Sequence, residues 1–246
     1  MAALKALLQF TTILPLGKTT DFDAFAKNSW MYPIAGYVTG ILAAVPAIVA
    51  SILNFENSMI VAALTIAVAL VISGGNHFDG LLDFGDGVMA HGNREKRIVA
   101  MKDRTTGTGA LVAGMTTILL TFAALASMPV AAIAPAILIA EVCGKMAMGL
   151  SSALGKPFAD GIQKYIYDKS KRWFSIITIL LVLPLFLIPC RWITLGGIIA
   201  ALLTFCILLL LAKKLFGGVN GDVTGACNEL SRMTVCLVIA ILICVY

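Results

Sequence analysis

The sequence predicts an all-α fold: a polytopic integral membrane bundle of about seven transmembrane helices, with an interfacial or re-entrant helix at the amino end. Three observations carry this reading. The 246 residues are 60% hydrophobic and only 13% charged, whereas soluble domains average about 45–50% and about 25%. Several apolar stretches reach the roughly 17–25 residues that cross a bilayer. The basic residues gather in alternate loops, as they do in membrane proteins of fixed orientation.

In chain order the apolar stretches are residues 30–53, 59–75, 110–128, 130–150, 173–188, 193–212 and roughly 230–246. The fifth is short, and the start of the last is not marked by any breaker. No repeat or linker divides the chain, so residues 1–246 read as a single membrane-embedded domain. The amino-terminal apolar segment is short, interrupted by Pro15 and without a small-residue cleavage site, which argues against a signal peptide. Residues 1–14 therefore read as a helix that either packs on the bundle or gates a site.

Fifteen of the 18 Lys and Arg residues fall before span one or in the loops after spans two, four and six. That side is expected to be cytoplasmic, with the amino terminus inside. The net charge of +5 is then a topology signal, and no nucleic-acid partner is expected. The six cysteines show neither CxxC nor ligand spacing, so they read as small apolar side chains.

Three polar islands interrupt this pattern. The first, "SGGNHFDGLLDFGDGVMAH", follows span two and holds Asp79, Asp83 and Asp86. On a helix these lie at roughly 0°, 40° and −20°, one narrow stripe. Carboxylates so close repel unless a proton or a cation intervenes. A hard divalent ion such as Mg²⁺ answers the repulsion, binding through one or two carboxylates, waters and substrate phosphates. The bland alternative is a solvated helix face, but Gly75, Gly80, Gly85 and Gly87 are costly in an ordinary helix. His77 falls about 200° from Asp79, off the stripe, and suits either a leaving phosphate or a structural hydrogen bond.

The second island, residues 93–114, places Lys102, Asp103, Arg104, Thr105 and Gly107 at a helix start. Basic side chains, hydroxyls and free N–H groups there suit phosphate or a lipid headgroup, although the Walker order is absent. The third, residues 213–230, holds Asp222 and Glu229, which share a helix face if the helix begins near Asp222. Span four adds Glu141 and Lys145 at i, i+4, a possible intramembrane ion pair.

"GGNHFDGLLDFGDG", "MKDRTTGTGALV" and "GGVNGDVTGACNEL", in this order, resemble the motifs of the cobalamin synthase family, the adenosylcobinamide-GDP ribazoletransferases. The amino-terminal "LQFTTILPLG" extends the resemblance nearly end to end. It implies that a hydroxyl of α-ribazole, or of its 5′-phosphate, displaces GMP from adenosylcobinamide-GDP in a Mg²⁺-dependent phosphotransfer. The residues that match are His77, Asp79, Gly80, Asp83, Asp86 and Gly87, then Lys102, Asp103 and Gly107, then Gly221, Asp222 and Glu229. The resemblance assigns metal binding to Asp79, Asp83, Asp86, Asp103, Asp222 and Glu229. Phosphate binding falls to Lys102, Arg104, Lys145, Thr105 and Gly107, and Asp86, Asp222 and His77 are the catalytic candidates. The family usually places its arginine two residues after the aspartate, whereas Arg104 follows Asp103 directly; Lys145 stands where an arginine is usual.

The expected partners are both substrates and the lipid bilayer of a prokaryotic cell membrane. A second copy of the chain or other corrinoid-pathway enzymes are left open. Two rival readings fit the residues less well. The CDP-alcohol phosphotransferases use DGxxAR, but Leu82 and Asp83 occupy the AR positions. A cation transporter would place its charges near the midplane in paired repeats, and no repeat is visible.

Overall fold

The computed structural model describes residues 2–245. Twelve α-helices follow one another, and no strand occurs among the described residues. The amino end forms α1 (Ala2–Thr11) and α2 (Phe22–Ala26). Five helices are long and apolar enough to cross a membrane unaided: α3 (Tyr32–Ile52, lengthened by a preceding turn), α7 (Thr108–Ala126), α8 (Val130–Leu154), α11 (Arg191–Leu215) and α12 (Gly221–Val245). Two bent pairs raise the number to seven if each pair is one span. These are α4 (Ser58–Ile72) with α5 (Asn76–Met89), and α9 (Ile162–Lys169) with α10 (Phe174–Leu180) and its 3₁₀ continuation. A short helix, α6 (Arg94–Met101), joins α5 to α7.

The chain is thus a multi-pass membrane protein, with two departures from the sequence reading. The fifth expected span is broken, because Pro184 supports only a 3₁₀ turn after α10. The last span begins at Gly221, about nine residues earlier than expected, so the third polar island is part of a spanning helix.

The exterior is the apolar face. Leu203, Ile207 and Leu210 of α11, and Leu111, Met115 and Leu119 of α7, are exposed. A bilayer solvates such rows; water would not. With no hydrophobic drive between helices in lipid, association rests on close packing of small residues. The central helix, α8, is buried along most of its length and receives α3 through Gly36 and Gly40. A Cβ on Gly36 would stand 2.6 Å from the Val142 Cα, so the two backbones touch.

The α4–α5 corner positions the site. Gly74 (φ 63°) and Gly75 (φ 71°) are both left-handed, which side chains resist. They turn the chain through 93°. As a result α5 lies across the amino-terminal ends of α7 and α12 instead of continuing the span, touching them through Gly85 against Gly109 and Gly80 against Asp222. The loops at this end meet: Gly217 lies against Arg94, and Val219 N–H donates to the Lys156 carbonyl at 2.9 Å. The amino-terminal segment joins them, since Ile13 N–H donates to the Ile72 carbonyl at 2.9 Å. Here α1 and α2 form a cap fastened to α9. Asp23 bonds Lys27, Lys169 and the Tyr165 hydroxyl, beside a cluster of Phe10, Phe22, Phe25 and Tyr32. Lys169 and its neighbours hold the Asp23 carboxyl well below the usual range.

Candidate active site

Helical spacing brings Asp79, Asp83 and Asp86 to one wall of a cleft of about 300 Å³, and the opposite wall carries Lys102, Asp103, Arg104 and Thr105. An adjoining recess of about 460 Å³ shares Asp86, Asp103 and Thr105 and extends to Gly107. Asp222 approaches from α12, where its Cα would stand 3.0 Å from a Cβ on Gly80. Burial, together with the carboxylates of Asp222, Asp79 and Asp86, pushes Asp83 up to about 6. Four carboxylates therefore face one another with Lys102 and Arg104 across the opening.

The members of the stripe do different things. Asp86 Oδ2 accepts the Gly107 N–H and its Oδ1 the Ala110 N–H, both at 2.8 Å. Asp86 thus supplies the cap that α7 lacks from its own sequence. This corrects the expectation that the opening N–H groups of α7 are free for phosphate: two of them already hold a carboxylate. Asp103 is turned inward on its own loop, its Oδ1 accepting both the N–H and the hydroxyl of Thr105, which lowers its pKa. Among the described residues Asp79 and Asp83 have no such partners, and both line the cleft. Asp222 is held by Asn220, whose amide donates to Oδ2 at 2.6 Å.

Lys145 and Glu229 lie elsewhere. Lys145 is fully buried, donating to Asn228 Oδ1 at 2.9 Å and standing 3.8 Å from Glu141. Glu229 is equally buried, with its oxygens taken by Arg232 and the Asn228 amide. Arg232 also bonds Glu141 at 3.0 Å, and Thr39 donates to Glu141 at 2.7 Å. Two acids and two bases thus neutralise each other inside the bundle. Glu229 does share a rotational position with Asp222, but seven residues of rise carry it about 10 Å deeper. The Glu141–Lys145 pair exists, but Arg232, which sequence reasoning had not assigned, makes the closer contact. Its only signal was its place in an apolar span.

His77, off the stripe as its spacing required, lines a separate cavity of about 340 Å³. Its Nδ1 is buried without a partner among the described residues.

The residues present fit a hard divalent cation by the chemistry of their donors. Asp79 and Asp83 offer unpartnered carboxylate oxygens in a field of excess negative charge. Among the described residues no three acidic, imidazole or thiol groups form a ready coordination shell, so water and phosphate oxygens would complete one, as Mg²⁺ commonly requires.

The family model for cobalamin-5-phosphate synthase matches residues 3–240. The chain belongs to that family. Relatives named adenosylcobinamide-GDP ribazoletransferase agree along nearly the whole length. The one from Methanocella arvoryzae is 34% identical, covering 94% of this chain and 92% of the relative. The one from Pyrococcus furiosus is 33% identical, covering 97% and 99%. The one from Methanococcoides burtonii is 31% identical, covering 99% and 93%. No solved structure matches the chain. Membership fits an acid-lined cleft with basic residues opposite it, and it favours neither a carrier nor a CDP-alcohol enzyme.

The loop after α6 gives a direct check on the cleft. A Cβ on Gly107 would stand 2.5 Å from Asp86 Oδ1 and 3.1 Å from Oδ2. Gly107→Ala should push the loop off Asp86 and uncap α7, at a cost of about 1 kcal/mol. The expected readout is a several-fold rise in KM for the phosphate-bearing donor with the protein still folded. An unchanged KM would detach the loop from the site.

Proposed function

We propose that this chain is a Mg²⁺-dependent phosphotransferase that joins α-ribazole, or its 5′-phosphate, to adenosylcobinamide-GDP and releases GMP. The observation that carries this is the single cleft in which Asp79 and Asp83 of α5 face Lys102 and Arg104, with Asp222 standing beside the carboxylates. The reaction exchanges a phosphoanhydride linkage for a phosphoester. A ribose hydroxyl oxygen attacks the phosphorus on the cobinamide side, the bond from that phosphorus to the bridging oxygen breaks, and GMP leaves with the electron pair. Such transfer needs positioning and charge neutralisation more than covalent chemistry.

Each group has a task. Asp79 and Asp83 would hold the cation, with Asp222 close enough to contribute. When bound, the cation neutralises charge on the pyrophosphate. Lys102 and Arg104 pair with phosphate oxygens. Asp222 takes the hydroxyl proton, because its free oxygen is not committed to a helix cap as Asp86 is. Asp86 keeps the loop of residues 102–107 against α5. Thr105 and Asp103 fix that loop's turn. The gathering of basic residues in the loops at this rim supports a cytoplasmic orientation in a prokaryotic cell membrane.

The test is GMP release by purified protein in detergent, given adenosylcobinamide-GDP and α-ribazole. Chelation should abolish release and added Mg²⁺ restore it. Asp83→Asn should lower release at least a hundredfold while leaving membrane insertion intact. Full activity in that variant would overturn the metal assignment.

A further inference from the structure

On the far side of α5 from the acidic cleft lies the cavity of about 340 Å³ under the amino-terminal cap. Its walls differ from those of the cleft. Phe10 comes from the cap, Tyr32 from α3 and Met148 from α8, and the polar lining includes His77, Gln163 and Asp222, with no Lys or Arg. Ligand pockets typically have this character, an apolar body with a few placed polar groups and a volume of ~300–1,000 Å³. His77 is 5% exposed and its Nδ1 has no hydrogen-bond partner among the described residues, while Gln163, 4% exposed, donates its amide to the Ser151 carbonyl at 3.4 Å and keeps its Oε1 for a ligand. Buried polar atoms are seldom left unpaired unless a ligand or water completes them.

Asp222 belongs to both compartments. It lines this cavity, and its charge also reaches Asp79, Asp83 and Lys102. The partition between them is thin: a Cβ on Gly225 would stand 2.9 Å from the His77 carbonyl, and one on Gly80 would stand 3.4 Å from the Gly225 Cα.

Building on the transferase reading above, we propose that the cavity beneath the α1–α2 cap is the acceptor site, taking the uncharged bicyclic base of ribazole between Phe10, Tyr32 and Met148. His77 and Gln163 hydrogen-bond the acceptor, and its ribose hydroxyl meets Asp222 at the partition. The donor's phosphates stay in the cleft, where the cationic side chains are. A cavity without Lys or Arg has nothing to hold a pyrophosphate, which separates the two substrates by charge.

The experiment has a binding arm and a kinetic arm, both on the full chain in detergent. Calorimetric titration with α-ribazole and with its 5′-phosphate should show binding of the shared base by the wild type. Gln163→Leu and His77→Phe should each weaken that binding about tenfold. In turnover they should raise KM for the acceptor by the same factor and leave KM for the GDP-bearing donor within twofold. Ile162→Trp narrows the cavity from a residue that is 56% exposed; it should do the same without disturbing the core. Acceptor binding that is absent from the wild type, or unchanged in all three variants, overturns the proposal. So does a rise in donor KM alone, which would give the cavity to guanine. If the wild type binds α-ribazole through these residues but releases no GMP, the transferase reading fails and the acceptor site stands.

Discussion

Asp222→Asn should fold, keep its hydrogen bond with Asn220 and release GMP ~10²–10⁴-fold more slowly, the usual span for losing a general base. The amide matches the carboxylate in shape, and its oxygen can still accept from the Asn220 amide at the position where Oδ2 now does. What it loses is the capacity to take a proton. The effect belongs in kcat, measured at saturating levels of both substrates, with acceptor binding retained. Asp86→Asn should behave differently. One of the two N–H groups it caps would face an NH₂, so the loop carrying Lys102 and Arg104 would loosen and KM for the donor would rise. An Asp222→Asn enzyme of normal kcat beside an Asp86→Asn enzyme of collapsed kcat would exchange their roles.

Arg232→Met should be strongly destabilising, costing about 3–5 kcal/mol. It leaves Glu141 and Glu229 buried and facing each other with Lys145 as the one remaining base, and Lys145 bonds chiefly to Asn228. Neutralising all four charged members with residues of similar volume should recover much of that loss, because removing a buried ion network whole is far cheaper than breaking it. Denaturation in detergent would measure both variants. If Arg232→Met melts normally but releases no GMP, the network belongs to the chemistry and not to the scaffold.

Much of the bundle could be read from the sequence because bilayer thickness and charge placement are one-dimensional signals. The aspartate stripe could be read because helical rotation is fixed per residue. What failed was information that requires a third coordinate. Rotation aligned Glu229 with Asp222, but depth along α12 separates them. Asp86 resembles its neighbours in sequence, and only the fold brings it the N–H of Gly107, 21 residues away. Lys145 stands where the family usually has an arginine, yet its partners come from α8 and α12. The right-angled corner at Gly74 and Gly75 was hidden, since two glycines reveal freedom and not the angle taken.

The contact of α5 with α12 through Gly80 and Gly225 has a wider meaning. Where side chains space two helices, repacking can widen or narrow the gap, and a lineage can adjust it by a methyl group at a time. Here the spacing is set by atoms that every residue possesses, so the smallest available mutation is already a coarse one. Alanine at either position would move Asp222 relative to Asp79 and Asp83 and thin or thicken the boundary between the compartments. The relative placement of nucleophile and phosphorus is therefore a nearly digital property of this fold. New specificity is expected to come from the cavity walls and the cap, where side chains can still be exchanged gradually.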